Sequence, residues 1–287
     1  MNEDTSPLPR FSPRPAESHK GTFGRALLIG GSQGMAGSIA LSGIACLRGG
    51  AGLVQLAVPA AVQSSVAGFE PSYMTTAVAQ DANGRMAAGA RETLEPLVSQ
   101  ATAVACGPGL GRSVDISSLV AWLYTTCAQP LVVDADGLNA LADQPQLLEQ
   151  ATGPRVLTPH PGEFRRLVPA MAGESRQELE AAAVALAHRS GAVLLLKGTR
   201  TLITDGQRVT HNTTGNPGMA TGGTGDVLTG LITALLCQGF SPYDAARLGA
   251  HLHGRAGDLA RDELGEMALI ASDLPRFLPR ALREQSS

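Results

Sequence analysis

The feature that most constrains this chain is a repeating alternation. Short apolar runs, each closed by Gly, Pro or Asp, lead into longer amphipathic stretches. The runs are Ala26–Ile29, Leu53–Val58, Ala103–Cys106, Leu131–Val133, Val156–Leu157, Val193–Leu196 and Leu202–Thr204. They are too short for helices and apolar on both faces, as strands buried in a parallel sheet are. The stretches between them predict helices over Ala36–Arg48, Ala90–Val98, Ser117–Thr126 and Arg176–Arg189. Strand–helix alternation implies right-handed βαβ units and a mostly parallel sheet covered on both faces, an α/β/α sandwich. The turn signal Thr204-Asp205-Gly206-Gln207 predicts a hairpin at one sheet edge, formed by Leu202–Thr204 and Arg208–Thr210. Three helices, Val227–Gln238, Tyr243–Asp262 and Ala271–Arg283, then close the chain. Trp122 reads as core.

No linker or internal repeat divides the chain, so one domain is expected from residue 18 to 287. Residues 1–17 carry Pro7, Pro9, Pro13 and Pro15 and few apolar side chains, which predicts an extended arm suited to a subunit contact. With 44% hydrophobic and 16% charged residues the chain is globular. A net charge of -3 gives no electrostatic case for nucleic acid or an anionic membrane. An aromatic content of 3% leaves little for a base-stacking platform, whereas 34 glycines suit many tight strand-to-helix loops. Cys46, Cys106, Cys127 and Cys237 form no paired motif and read as buried thiols of a reducing cytoplasm. Neither a signal peptide nor a run long enough to span a bilayer is visible.

In open α/β sheets, ligands bind beyond the carboxyl ends of the strands, and nearly every strand exit here is chemically unusual. Gly30-Gly31-Ser32-Gln33-Gly34-Met35-Ala36-Gly37 lacks the dinucleotide spacing; a ligand-approach loop and a plain turn are equally good readings. Gly107-Pro108-Gly109-Leu110-Gly111 offers a backbone surface without side chains. Asp134 and Asp136, taken as i and i+2 on one strand face, are positioned to hold Mg²⁺ through water, or one of them caps the next helix. Pro159 and Pro161 hold His160 extended for ligand contact, and Glu163 either serves a metal-bound water or favours a helix dipole. Lys197 at a strand end suits a phosphate, against the plainer reading of a solvated lysine.

The strongest segment is Asn212–Asp226. Apolar residues at Val227, Leu228, Leu231, Ile232, Leu235 and Leu236 fall on one helical face, so a helix starts at this segment's end. Gly222, Gly223, Thr224 and Gly225 then present bare amides at the positive end of its dipole, an anion hole. Asp226 either stabilises the dipole or accepts a proton from a hydroxyl attacking phosphorus. His251 and His253 lie two apart on a helix, cannot share a metal, and read as structural.

From Ser18 to the C-terminus the motif order resembles the ADP/ATP-dependent NAD(P)H-hydrate dehydratases of the ribokinase-like superfamily: GGSQGMAG, GPGLG, DADGLN, LTPHPGE, LKGTRT and NTTGNPGMATGGTGD. The segment Ser18–Gly24 is also similar. GTGD alone is shared with many ribokinase-like kinases; its combination with TPHPGE and GMATGGTGD is far more specific. The resemblance implies a metabolite-repair lyase. Such an enzyme dehydrates the S epimer of NADHX or NADPHX with ADP or ATP and Mg²⁺, through phosphorylation of the C6 hydroxyl. It implies that Asp226 is the catalytic base and that Ser38, Gly109, His160 and Asp226 contact the hydrate. Lys197, Gly198, Thr199, Arg200, Thr201 and Gly225 would line the adenine nucleotide. Ser38 stands where the family more usually has Ala. Glu163 and Asp134 remain the candidates for metal-bound water. A cytoplasmic homotetramer is implied, with no nucleic-acid or membrane partner. Many relatives carry a preceding epimerase domain; none fits before Ser18, so a separate epimerase is expected. The alternatives are a ribokinase-like kinase of a small alcohol, of hydroxyethylthiazole or hydroxymethylpyrimidine type, or a non-catalytic nucleotide-binding regulator.

Overall fold

The computed structural model describes residues 2–169 and 175–286. The strands are β1 (Asn2–Glu3), β2 (Arg25–Ile29), β3 (Leu53–Pro59), β4 (Met74–Val78), β5 (Ala103–Cys106), β6 (Leu131–Val133), β7 (Arg155–Leu157), β8 (Val193–Leu196), β9 (Leu202–Thr204) and β10 (Arg208–His211). They form one sheet in the order β1-β10-β9-β8-β7-β6-β5-β2-β3-β4. Pairing is parallel from β8 through to β4, and β9 runs antiparallel to both β8 and β10. The run Leu202–Thr204 is thus a hairpin strand and not one of the parallel set. The outermost position on that side belongs to β1, which pairs parallel with β10.

The helices are α1 (Ala36–Arg48), α2 (Gln63–Ala67), α3 (Ala90–Gln100), α4 (Val114–Thr126), α5 (Ala135–Ala142), α6 (Pro161–Leu167), α7 (Arg176–Ser190), α8 (Thr224–Cys237), α9 (Pro242–Leu264) and α10 (Leu274–Ser286). Alternation along β2 sorts them into two layers. Ala26 and Leu28 face a core shared with α1, α8, α9 and α10; Leu27 and Ile29 face a second core with α3, α4, α5 and α7. Residues Val227–Cys237 of α8 are all buried, so this helix is core on every side. Gly230 is where α8 meets α1: a Cβ there would strike the Ser42 carbonyl. Trp122 is only half-buried at the rim of the second core, with Arg91 over its ring at 5.0 Å.

The N-terminal segment folds against its own chain. The Asp4 amide donates to Val209 O at 2.8 Å, and Arg247 reaches both Asp4 Oδ2 (3.2 Å) and Ser6 O (2.7 Å). Phe11 meets Phe240 edge-on with ring centres 5.4 Å apart.

After the edge strand β1 the chain crosses to mid-sheet at β2, runs outward through β3 and β4, and returns to β5 on the other side of β2. The strand order therefore reverses between β2 and β5, where such sheets open a ligand crevice. There the Gly31 amide donates to Pro108 O at 2.8 Å, and a Cβ on Gly30 would strike that same carbonyl.

Candidate functional site

α8 begins without a cap. Its N-cap residue is Gly223, at φ 97°, and no side chain accepts from the first-turn amides. The opening amides of a helix have no partner within it, so those of Thr224, Gly225 and Asp226 are left for a ligand or water at the positive end of the dipole. Asp226 stands in this first turn, and its carbonyl accepts from Ser42 Oγ at 2.8 Å. Close α1–α8 packing also brings the Ser38 hydroxyl beside the Asp226 carboxylate, where it favours the charged form. Burial, reinforced by the charge of Asp134, raises the Asp226 pKa to about 7; Ser38 and Lys197 hold it from rising further.

Lys197 follows β8 and turns inward. Its Nζ lies 2.8 Å from Asp134 Oδ1 and 3.9 Å from Glu163 Oε2. Burial opposes its charge, but Asp134, Glu163 and Asp226 outweigh that cost and leave its pKa above the ordinary lysine value. The reading as a solvated lysine is thus replaced by a half-buried ion pair. Gly225 closes over it: a Cβ there would lie 3.2 Å from Lys197 Nζ and 3.5 Å from Asp134 Oδ2. The exits of β6 and β8 and the start of α8 therefore converge within contact distance.

The two aspartates depart from expectation. β6 ends at Val133, so Asp134 and Asp136 share no strand face. Ala135 between them is the one non-glycine with a left-handed φ (50°) among the described residues, and it turns the chain straight into α5. Asp134 takes the N-cap position of α5 but does not cap it. Its Oδ1 serves Lys197 and its Oδ2 accepts from Thr229 Oγ1 at 2.8 Å. Asp136 accepts from the Gly111 amide at 2.8 Å and so fastens the GPGLG loop.

His160 is extended and is the N-cap of α6, where its Nδ1 accepts from the amides of Gly162 (3.0 Å) and Glu163 (3.2 Å). Glu163 answers by accepting from the His160 amide at 2.8 Å, a capping box. Burial, Lys197 and Arg166 depress the His160 pKa, so its ring is neutral at physiological pH with Nε2 on the exposed side chain. Burial raises the pKa of Glu163, against the opposing charge of Lys197. Among the described residues no group of three or more His, Cys, Asp or Glu could hold a metal directly. With both Asp134 oxygens engaged, a preformed Mg²⁺ site does not fit these residues.

Gly109, at φ 66°, packs against Met35 O and Ser38, which brings the GPGLG and GMAGS loops to Asp226. Thr199 and Arg200 are exposed, and with Gly198 they line a cavity of about 620 Å³ whose other walls include Arg176, Glu180, His211 and Glu3. Sequence reasoning missed Ser42, Thr229, Asp136's hold on Gly111, and Arg176. It took His253 as structural; the ring is partly buried, its pKa is lowered to about 4, and its Nε2 lies 2.8 Å from Thr224 O at the start of α8.

A sequence profile of the NAD(P)H-hydrate dehydratase family matches residues 26–280. The bifunctional NAD(P)H-hydrate repair enzyme Nnr of Moorella thermoacetica is 46% identical over 280 residues, 97% of this chain and 52% of the relative. That of Escherichia coli is 37% identical over 278 residues, 96% and 50% respectively. The chain thus spans about half the length of these curated relatives. The crystal structure of the ADP/ATP-dependent NAD(P)H-hydrate dehydratase from Bacillus subtilis, co-crystallised with ATP and Mg²⁺, superposes with a TM-score of 0.81 at 30% identity, covering 96% of this chain and 95% of that one. A hydroxyethylthiazole kinase from Pyrococcus horikoshii, at 17% identity and a TM-score of 0.56, shares the fold alone. The ribokinase-like α/β sheet and the matched segment together establish that the chain belongs to the NAD(P)H-hydrate dehydratase family.

Proposed function

We propose that this chain dehydrates the S epimer of NADHX and NADPHX at the expense of ADP or ATP, with Asp226 as general base. The observation that carries the reading is a carboxylate with a pKa of about 7 in the first turn of an uncapped helix. A base poised near the working pH combines availability with proton affinity. Asp226 takes the proton of the C6 hydroxyl as its oxygen bonds to the terminal phosphorus of the nucleotide. The bond to the bridging oxygen breaks and AMP leaves from ADP, or ADP from ATP. The amides of Gly222–Gly225 receive the charge on the transferred phosphoryl group. The C6–O bond then breaks, phosphate departs, a proton leaves C5, and the dihydronicotinamide is restored.

Ser38, Gly109 and His160 are assigned to the hydrate, and Lys197–Thr201 with Gly225 to the nucleotide. Mg²⁺, present with ATP in the Bacillus subtilis dehydratase crystals, would arrive on the nucleotide phosphates with its own waters, screening their charge. Glu163, whose carboxylate faces Lys197, is the residue left to meet such a water. The hydrate's R epimer would need an epimerase activity, the second function that the bifunctional names of the relatives imply for those proteins. A homotetramer is proposed. Residues 18–287 form the catalytic domain in this reading, and residues 1–17 an arm laid on it. No helix among the described residues is long and apolar enough to cross a membrane, and all four cysteines are buried and unpaired, consistent with a cytoplasmic enzyme.

The test is to supply S-NADHX, ADP or ATP, and Mg²⁺ and follow the dihydronicotinamide absorbance. Recovery of NADH with free phosphate is expected. No NADH with either nucleotide would overturn the reading, and a stable phosphorylated alcohol would favour the kinase.

A further inference from the structure

Arg176 is the first residue of α7 and belongs to none of the motifs, yet both terminal nitrogens of its guanidinium go to one loop. Nη1 donates to Lys197 O at 3.0 Å, and Nη2 donates to Leu196 O at 3.1 Å and Arg200 O at 2.9 Å. Three carbonyls spanning residues 196–200 thus converge on one planar, permanently charged group, a fan of donors that lysine lacks. The contact is close enough that a Cβ on Gly198 would lie 2.8 Å from Nη1. Arg176 is itself aimed by Glu180 Oε1, 2.7 Å from its Nε, and Glu180 Oε2 lies 3.3 Å from His211 Nε2 on β10. The same loop turns Lys197 toward Asp134 on its inner side. On its outer side it walls the cavity shared by Thr199, Arg200 and His211.

We propose that Arg176 is a positioning residue for the nucleotide: it fixes the Lys197–Thr201 loop in its binding shape through three backbone carbonyls, with Glu180 holding it in place. This rests on the reading of that loop as the nucleotide site. Pre-shaping a loop lowers the ordering cost that a ligand must otherwise meet. Losing the guanidinium therefore weakens the nucleotide and spares the hydrate, whose assigned residues lie on other elements.

The test titrates ADP calorimetrically into the full chain, without hydrate, and separately measures initial rates against both substrates. Arg176→Gln should raise the Kd and the KM of ADP together, about tenfold, the scale of the ordering cost of one immobilised side chain. The KM of S-NADHX should stay near the wild-type value. Arg176→Lys should recover only part of the loss. Glu180→Gln, which loosens Arg176 without touching the loop, should weaken ADP in the same direction by less, and it serves if Arg176→Gln does not fold. Unchanged ADP affinity in Arg176→Gln, or in Glu180→Gln where only that variant folds, would overturn the proposal. So would equal losses for both substrates, the mark of general destabilisation. A wild-type chain that does not bind ADP would overturn the nucleotide reading and this role with it, an outcome read before any variant is compared.

Discussion

Lys197 Nζ sits 2.8 Å from Asp134 Oδ1, joining the exits of two strands that are 63 residues apart in sequence. Asp134 is buried, with its other oxygen on Thr229. Removing the lysine would leave a buried carboxylate without a countercharge, which typically costs about 3–5 kcal/mol. Lys197→Met is therefore expected to destabilise strongly, and Lys197→Met/Asp134→Asn by less than the two single changes together. Urea denaturation of the four proteins in the cycle measures this, and additive losses would show that the pair is not coupled.

Asp226 should set the acid limb of the rate profile. With its pKa near 7, kcat/KM for the hydrate is expected to fall about tenfold per pH unit well below neutrality. Asp226→Asn should keep ADP binding and lose turnover by several orders of magnitude. A second consequence concerns stability. The folded pKa lies above the unfolded value of 3.8, so this residue's contribution is complete below about pH 4 and is lost as pH rises through about 7. Asp226→Asn should therefore be more stable than wild type at pH 8, by roughly 4 kcal/mol at most, with a higher melting point, and the gain should shrink on acidification. A lower melting point at pH 8 would contradict the assigned shift.

The Ser38 hydroxyl lies beside the same carboxylate and favours its charged form. In Ser38→Ala the acid limb should move to higher pH, so activity falls more at pH 6 than at pH 8.5, a contrast seen by comparing the two kcat/KM profiles. Parallel profiles would leave Ser38 only a substrate contact.

Much of the frame was legible locally. Ala36–Arg48, Ala103–Cys106 and Val193–Leu196 have the bounds expected from apolar periodicity. β4 was not, because Met74, Thr75 and Thr76 form an edge strand with no apolar run to mark it. α5 was hidden because Asp134 and Asp136 read as strand-end carboxylates, and only the left-handed turn at Ala135 shows that the chain has already left the strand. The Gly222–Asp226 helix start was readable because its signal is contiguous. Arg176 gave no such signal: its partners are backbone carbonyls 20 to 24 residues away, identical in every sequence.

The N-terminal segment has a consequence beyond its contacts. β10 would otherwise present a row of unpaired amides and carbonyls, a template on which another chain could add a strand. β1 occupies that row, and Arg247 anchors it through Asp4 and Ser6. The stretch after β1 is punctuated by Pro7, Pro9, Pro13 and Pro15, which have no amide hydrogen to offer. The rim that reaches solvent cannot easily recruit a further strand. Shortening the segment would thus be felt first as a tendency of the folded protein to aggregate through its own sheet edge.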